Sequence, residues 1–150
     1  MSIGEYCSRD IVIVNKTDSI QVAIELMRSE HVGSVVVVEH SHDDTAIPVG
    51  ILTDRDIVVE VLAEGIDLHT VTVGDIMSFD LMVVNESVDF MTVIKMMRDN
   101  GVRRAPVVND GGGLVGILSV DDVLDILAEQ MMDLAKLISK EQRREQVKTV

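Results

Sequence analysis

Two short phrases hold the side chains best suited to gripping a small polar ligand: GILTDRD at residues 50–56 and GILSVDD at residues 116–122. Each runs an apolar lead-in into a hydroxyl and sets a carboxylate three positions on, Thr53 with Asp56 and Ser119 with Asp122. Two kinds of chemistry suit that spacing. A hydroxyl and an acid three apart at a helix start can satisfy backbone N–H groups that have no intrahelical partner. The same acid, at a helix mouth with free amides and a positive dipole end, can accept two hydrogen bonds from a ribose diol. Capping accounts for the hydroxyl and the acid but not for the Gly-Ile-Leu before them, where a glycine permits close backbone approach. Spacing alone leaves both chemistries open.

The elements that position these residues are themselves duplicated. Gly4, Ser8, Asp10, Val14, Asn15, Ile24, Met27, Arg28, Val32, Val37 and Val38 recur seventy positions later, from Gly74 to Val108. Val49-Gly50-Ile51-Leu52 then recurs as Val115-Gly116-Ile117-Leu118 at an offset of sixty-six, the change falling where EHSHDDTAI is replaced by NDGGG. A length change belongs in a loop, so each copy reads as strand, helix, strand, strand, helix. Ile20, Ala23, Ile24 and Met27 form one buried helical stripe, and Phe90, Val93, Ile94 and Met97 repeat it. SVVVV and RRAPVV are β-branched runs that pair with AIPVGIL and GLVGIL. A helix over 54–64 ends before Gly65, and Asp67 to Thr72 links the copies. A copy of fewer than about seventy residues has too little core alone, so the two sheets are expected to pack together about an approximate twofold axis.

The last helix is the longer one. Leu124, Leu127, Met131, Leu134 and Ile138 alternate spacings of three and four, a seam for self-association or a docking face. Acidic Asp121, Asp122 and Asp125 begin it and Lys136, Lys140, Arg143 and Arg144 follow, as the helix dipole favours. EQRREQVKTV is expected to fray as a solvated tail.

Composition excludes several classes. Thirteen basic against 26 acidic side chains give a formal charge of −13, which repels nucleic acid, and one Tyr, two Phe and no Trp offer no stacking platform. No apolar run reaches the ~20 residues of a membrane span, and no secretory signal opens the chain. Cys7, the single cysteine, reads as a small buried residue in a reducing, cytoplasmic setting. No Ser-His-Asp grouping, Cys-His pair or triphosphate loop can be assembled, so the chain is expected not to be an enzyme. His31 and His69 are unrepeated, and HSHDD at 40–44 offers too few ligands on a turn to define a metal site.

In this order, the repeated G-I-L-[ST]-x-x-D ending and the V-R-R-A-P-V-V strand resemble a tandem pair of cystathionine-β-synthase-type (CBS) domains, a Bateman module, and small bacterial proteins made of little else. Residues 3–58 and 73–124 match the two repeats; 59–72 is helix end and linker, and 125–150 a C-terminal helix extension and tail. The resemblance implies an α/β fold of two β-α-β-β-α repeats packed sheet to sheet. It also implies a regulatory module that needs no cofactor and senses AMP, ADP, ATP or S-adenosylmethionine between its copies. In that family the Ser/Thr and Asp of the phrase hold ribose, matching Thr53 with Asp56 and Ser119 with Asp122. Adenine lies on the strand after the first helix, here Ser34-Val35-Val36 and Arg104-Ala105-Pro106. The start of each copy contributes Asp10, Ile11 and Val12, with Asp80, Leu81 and Met82.

The copies differ in their cations. Family phosphates extend toward the facing copy, so the Thr53/Asp56 cleft is expected to receive Arg103 and Arg104, with Arg55 nearby. The Ser119/Asp122 cleft is expected to receive only Gly33 and Ser34, with Asp121 in place of Arg55. One strong site per chain, centred on Asp56, follows as the expectation. With it goes a homodimer that signals nucleotide occupancy to an unidentified regulated protein. The alternative is a ligand-free scaffold that dimerises through its helices.

Overall fold

The computed structural model describes residues 1–149. Two three-stranded sheets carry the repeats: β1 (Ile13–Asn15), β2 (Ser34–His40) and β3 (Ala46–Thr53), then β4 (Val84–Asn85), β5 (Arg104–Val108) and β6 (Leu114–Ser119). In each sheet the first strand runs parallel to the second, and the second antiparallel to the third. The expected stripes bury Ile20, Ala23 and Met27 on α1 (Ile20–Glu30) and Phe90, Val93 and Met97 on α4 (Phe90–Asn100). Ser19 and Asp89 cap these helices with their side chains, and both end in a left-handed residue, His31 at φ 54° and Gly101 at φ 64°.

Val35, Val36, Val37 and Val38 are all buried, because helices cover one face of the sheet and the second repeat the other. Alternation along β2 sends Val35 and Val37 into the helix-side core. Ala105 and Val107 occupy the same positions in the second core. The two sheets meet along β3 and β6.

The sequence does not reveal that each repeat completes the other's core. Ile3 and Cys7, from the start of the chain, are buried with Val84, Phe90 and Leu118. Val73 and Met77, from the start of the second repeat, are buried with Val14, Ile20 and Leu52. The crossings mirror one another. Ile3 N–H donates to Val88 O at 2.9 Å and Val73 N–H to Asp18 O at 2.8 Å; Gly4 N–H donates to Glu86 O and Gly74 N–H to Lys16 O, both at 2.9 Å. Ser8 bridges Ile117 and Ser78 bridges Ile51 as short antiparallel contacts with the strand edges. Arg9 clasps one crossing, donating to Val115 O at 3.0 Å and Gly4 O at 2.8 Å. Repeat boundaries and packing units are therefore different things: the leading segments 3–8 and 73–78 pack on the opposite repeat.

Three local departures from the sequence reading stand out. The leading segments contain short helical turns, Ile3–Glu5 and α3 (Val73–Ile76), too short for any periodicity to announce. The helix after β3 makes one α turn, α2 (Asp54–Asp56), and continues as π-helical turns over Ile57–Leu62 to Gly65 at φ 70°. The expected frayed tail is instead helical: α5 runs Val120–Lys148, its last turns built of Glu, Gln, Arg and Lys, all good helix formers. Val150 lies outside the described residues. From Leu127 onward α5 is exposed, including Met131, Leu134, Leu137 and Ile138. Among the described residues no helix is long and apolar enough to cross a membrane.

Candidate functional site

Both repeated phrases sit where a strand becomes a helix, and both form capping boxes. Thr53 N–H donates to Asp56 Oδ2 at 2.9 Å while Asp56 N–H donates to Thr53 Oγ1 at 3.1 Å. Ser119 and Asp122 repeat the pair at 2.9 and 3.1 Å, and the Ser119 hydroxyl also donates to Asp122 Oδ2 at 2.7 Å. Thr72 N–H donates to Asp75 Oδ2 at 2.9 Å in a third such start, on α3, away from either phrase. The hydroxyl-acid pair is thus a structural device first. It leaves Oδ1 of Asp56 and of Asp122 without a protein hydrogen bond among the described residues, so one oxygen of each acid remains open to a ligand.

The glycines that lead each phrase have a structural use as well. A Cβ on Gly50 would stand 2.6 Å from Met77 Sδ and 2.8 Å from Ser78 O, and one on Gly116 would collide with Cys7 Sγ and lie 2.9 Å from Ser8 O. Gly-Ile-Leu recurs because a crossing segment passes over it in each repeat, which capping could not account for.

Two crevices open between the repeats. The larger, about 330 Å³, is lined by Ser8, Asp10, Ile11 and Val12, by His31 to Ser34, by Val36, and by Arg104, Ile117, Ser119 and Asp122. The smaller, about 190 Å³, is lined by Ile51, Thr53, Ser78, Asp80, Leu81, Met82, Val102, Arg103 and Arg104. The crossing of the leading segments decides this partition, carrying residues 10–12 to the Ser119 phrase and 80–82 to the Thr53 phrase.

Of the expected site residues, Ile11, Val12, Val36, Ser119 and Asp122 come together in one crevice, Thr53, Leu81 and Arg103 in the other, and Arg104 lines both. Five do not line either. Val35 and Ala105 face the helix-side cores, and Pro106 is buried between neighbours of that kind. Asp56 turns one oxygen onto Thr53, and Arg55 is exposed on the first turn of α2. The expectation that the Ser119/Asp122 side receives only Gly33 and Ser34 is corrected: both are there, and so is Arg104. Arg104 belongs to the strand end between the crevices, beside Ser119 in the β5–β6 register. Sequence reasoning also missed His31 and Val32, whose presence follows from the left-handed end of α1.

Charge and room point in different directions. Arg103 and Arg104 against Asp80 leave the smaller crevice positive, whereas Asp10 and Asp122 outnumber Arg104 in the larger. Ligand pockets span about 300–1,000 Å³, which the larger crevice just reaches and the smaller does not. Arg104 itself is half-buried and, among the described residues, has no carboxylate within ion-pair distance, although the chain carries a formal charge of −13.

Elsewhere, Cys7 is buried as a free thiol, and burial pushes its pKa above the ordinary thiol value. In the 40–44 turn the Ser41 hydroxyl and Thr45 hold the Asp43 carboxyl below its ordinary value. Among the described residues no three metal-ligating side chains gather.

The CBS domain profile matches residues 3–63 and 73–129. An uncharacterised protein of Methanopyrus kandleri is 35% identical over 84% of this chain, which spans 62% of that relative's length. The CBS domain-containing protein YhcV of Bacillus subtilis is 32% identical, with 81% of this chain and 82% of the relative covered. The structure of CBSX2 in complex with AMP aligns with a TM-score of 0.70 at 23% identity, covering 87% of this chain and 98% of that one, a likeness of fold.

Proposed function

The chain belongs to the CBS-domain family, and from that premise we propose that it is a regulatory module. It binds one adenosine-containing ligand, AMP, ADP or ATP, between its repeats and signals the occupancy to another protein. The observation that carries this reading is Arg104, a half-buried guanidinium without an acidic partner at the junction of two crevices in an acidic chain. A cation kept free there suits a phosphate oxygen, which it can meet with charge-assisted hydrogen bonds. We assign the adenosine to the larger crevice, with ribose at Asp122 Oδ1, the base against Val36 and residues Ile11 and Val12, and the phosphate at Arg104. S-adenosylmethionine, whose sulfonium is cationic, fits Arg104 less well.

Such a ligand touches Gly33 and Ser34 of one repeat and Ser119 and Asp122 of the other, so it favours one relative arrangement of the pair. Occupancy then shifts a population rather than driving chemistry, by as much as the ligand's affinities for the two arrangements differ. The exposed apolar stripe of α5 is the surface through which the module pairs with a second copy and presents that arrangement. A cytoplasmic setting suits its single, unpaired thiol.

Calorimetric titration with AMP, ADP, ATP and S-adenosylmethionine tests the reading, with Asp122→Ala and Asp56→Ala in parallel. Heat with a nucleotide, lost chiefly in Asp122→Ala, supports it. Absence of binding by every ligand overturns it and leaves the scaffold reading, which the exposed face of α5 favours.

A further inference from the structure

Along α5 the charges separate by sign. Asp121, Asp122, Asp125, Glu129 and Asp133 make its first half wholly acidic, whereas Lys136, Lys140, Arg143, Arg144 and Lys148 outnumber Glu141 and Glu145 in its second. Among the described residues none of these side chains has an opposite charge within ion-pair distance. The apolar stripe straddles the change of sign, with Leu127 and Met131 before Asp133 and Leu134 and Ile138 after it, all four exposed.

A twofold axis between Met132 and Asp133 maps that stripe onto itself. It sets Leu127 against the second copy's Ile138 and Met131 against the second copy's Leu134, each pair occurring twice as an isologous contact requires. The same axis lays the acidic half of one helix beside the basic half of the other and opposes the two helix dipoles, and both arrangements are favourable. A parallel pair would put like-charged halves abreast and crowd two bodies of a chain with formal charge −13 together at one end. A second feature fits the antiparallel axis. Beside Leu127 a groove of about 290 Å³ runs between Phe90 and Met91 at the start of α4 and Ile126, Leu127 and Gln130 of α5. The axis brings to this groove the second copy's Leu137 and Ile138, both exposed in the single chain.

We propose that α5 pairs antiparallel with α5 of a second copy, the apolar stripe forming the seam and the basic half of each helix covering the α4–α5 groove of the other copy. The inference rests on the reading that α5 joins two copies and adds to it a direction, a register and a second contact. The two bodies then stand at opposite ends of the paired helices.

Leu127→Cys and Ile138→Cys are made separately in the full-length protein, and cross-links formed under mild oxidation are located by peptide mass analysis, which sets products of Cys7 apart. A disulfide needs Cα atoms within about 7 Å. The antiparallel register predicts a cross-link between positions 127 and 138 when the two variants are mixed. It predicts none within either variant alone, where equivalent cysteines stand about 16 Å apart at the helical rise per residue. Self-cross-linking of each variant, with none in the mixture between 127 and 138, overturns the antiparallel pair and leaves dimerisation through α5 standing. A wild type that sediments as a monomer overturns both, while calorimetry judges nucleotide binding independently.

Charge reversal gives a measurement that does not depend on disulfide geometry. Lys140→Glu with Arg144→Glu should weaken the dimer severalfold at low salt and less at high salt, where exposed charges are screened. An unchanged or tighter dimer, the latter being what relief of like-charge contact in a parallel pair would give, overturns the proposal. Met91→Glu, at the exposed rim of the groove, should weaken the dimer as well. A dimer as tight as the wild type in that variant overturns the second contact.

Discussion

A methyl group on Gly50 would stand 2.6 Å from the sulfur of Met77, a residue that the second repeat lends to the first repeat's core. Gly50→Ala must therefore displace the crossing segment, as must Gly116→Ala against Cys7. Overpacking of this kind costs about 1–3 kcal/mol. Urea unfolding is expected to show that loss for either variant in one transition, since each repeat supplies part of the other's core. Two separated transitions would contradict the exchange.

The three hydroxyl-acid helix starts allow capping to be separated from ligand binding. Ser119→Ala and Thr72→Ala should each lower the stability of the free protein by about 1 kcal/mol, the usual worth of such a cap. Only Ser119→Ala should also reduce the rise in melting temperature that AMP produces by binding the folded state. An equal reduction by Thr72→Ala would remove the case for a site at the Ser119 phrase.

His31 occupies, at φ 54°, the left-handed helix end that Gly101 occupies in the second repeat. An L-residue with a Cβ is disfavoured there by roughly 1–2 kcal/mol. His31→Gly is expected to raise the urea midpoint without a change in slope. Because His31 also lines the larger crevice, the AMP affinity of the variant reports whether the imidazole contributes there.

Leu134 and Ile138 lie on the part of α5 that extends into solvent, 60% and 56% exposed. The double substitution Leu134→Glu with Ile138→Glu should turn a dimer into a monomer in sedimentation analysis while the melting temperature at high dilution stays unchanged. A wild type that sediments as a monomer would show that the stripe serves some other contact.

Burial raises the pKa of Cys7. A thiol raised in the folded state is protonated in folded and unfolded chains alike below the ordinary thiol value of about 8.5, and costs stability as the pH climbs through the folded value. Alkylation at pH 8 should accordingly be at least about tenfold slower in the native protein than in urea, where the thiolate forms freely. Equal rates would mean that the first crossing segment does not stay docked on Gly116.

The sequence alone was enough for the duplication, the α/β class and the helix stripes, because these are patterns of spacing that burial imposes directly on residue order. It also led to Thr53, Ser119 and Asp122 through the repeated phrase, and to the arginine pair through the family resemblance, and the structure sets all five along the crevices between the repeats. It could not decide which leading segment joins which phrase. Residues 10–12 lie closer along the chain to Thr53 than to Ser119, yet they line the crevice of Ser119. That exchange depends on Gly50 and Gly116 admitting a backbone from the other repeat, a fit between surfaces far apart in the chain. The sharing of Arg104 was equally hidden, because a residue's membership of two crevices is a property of where sheets meet. Local order fixed the parts; only the packing of one repeat through the other fixed which parts face the same space.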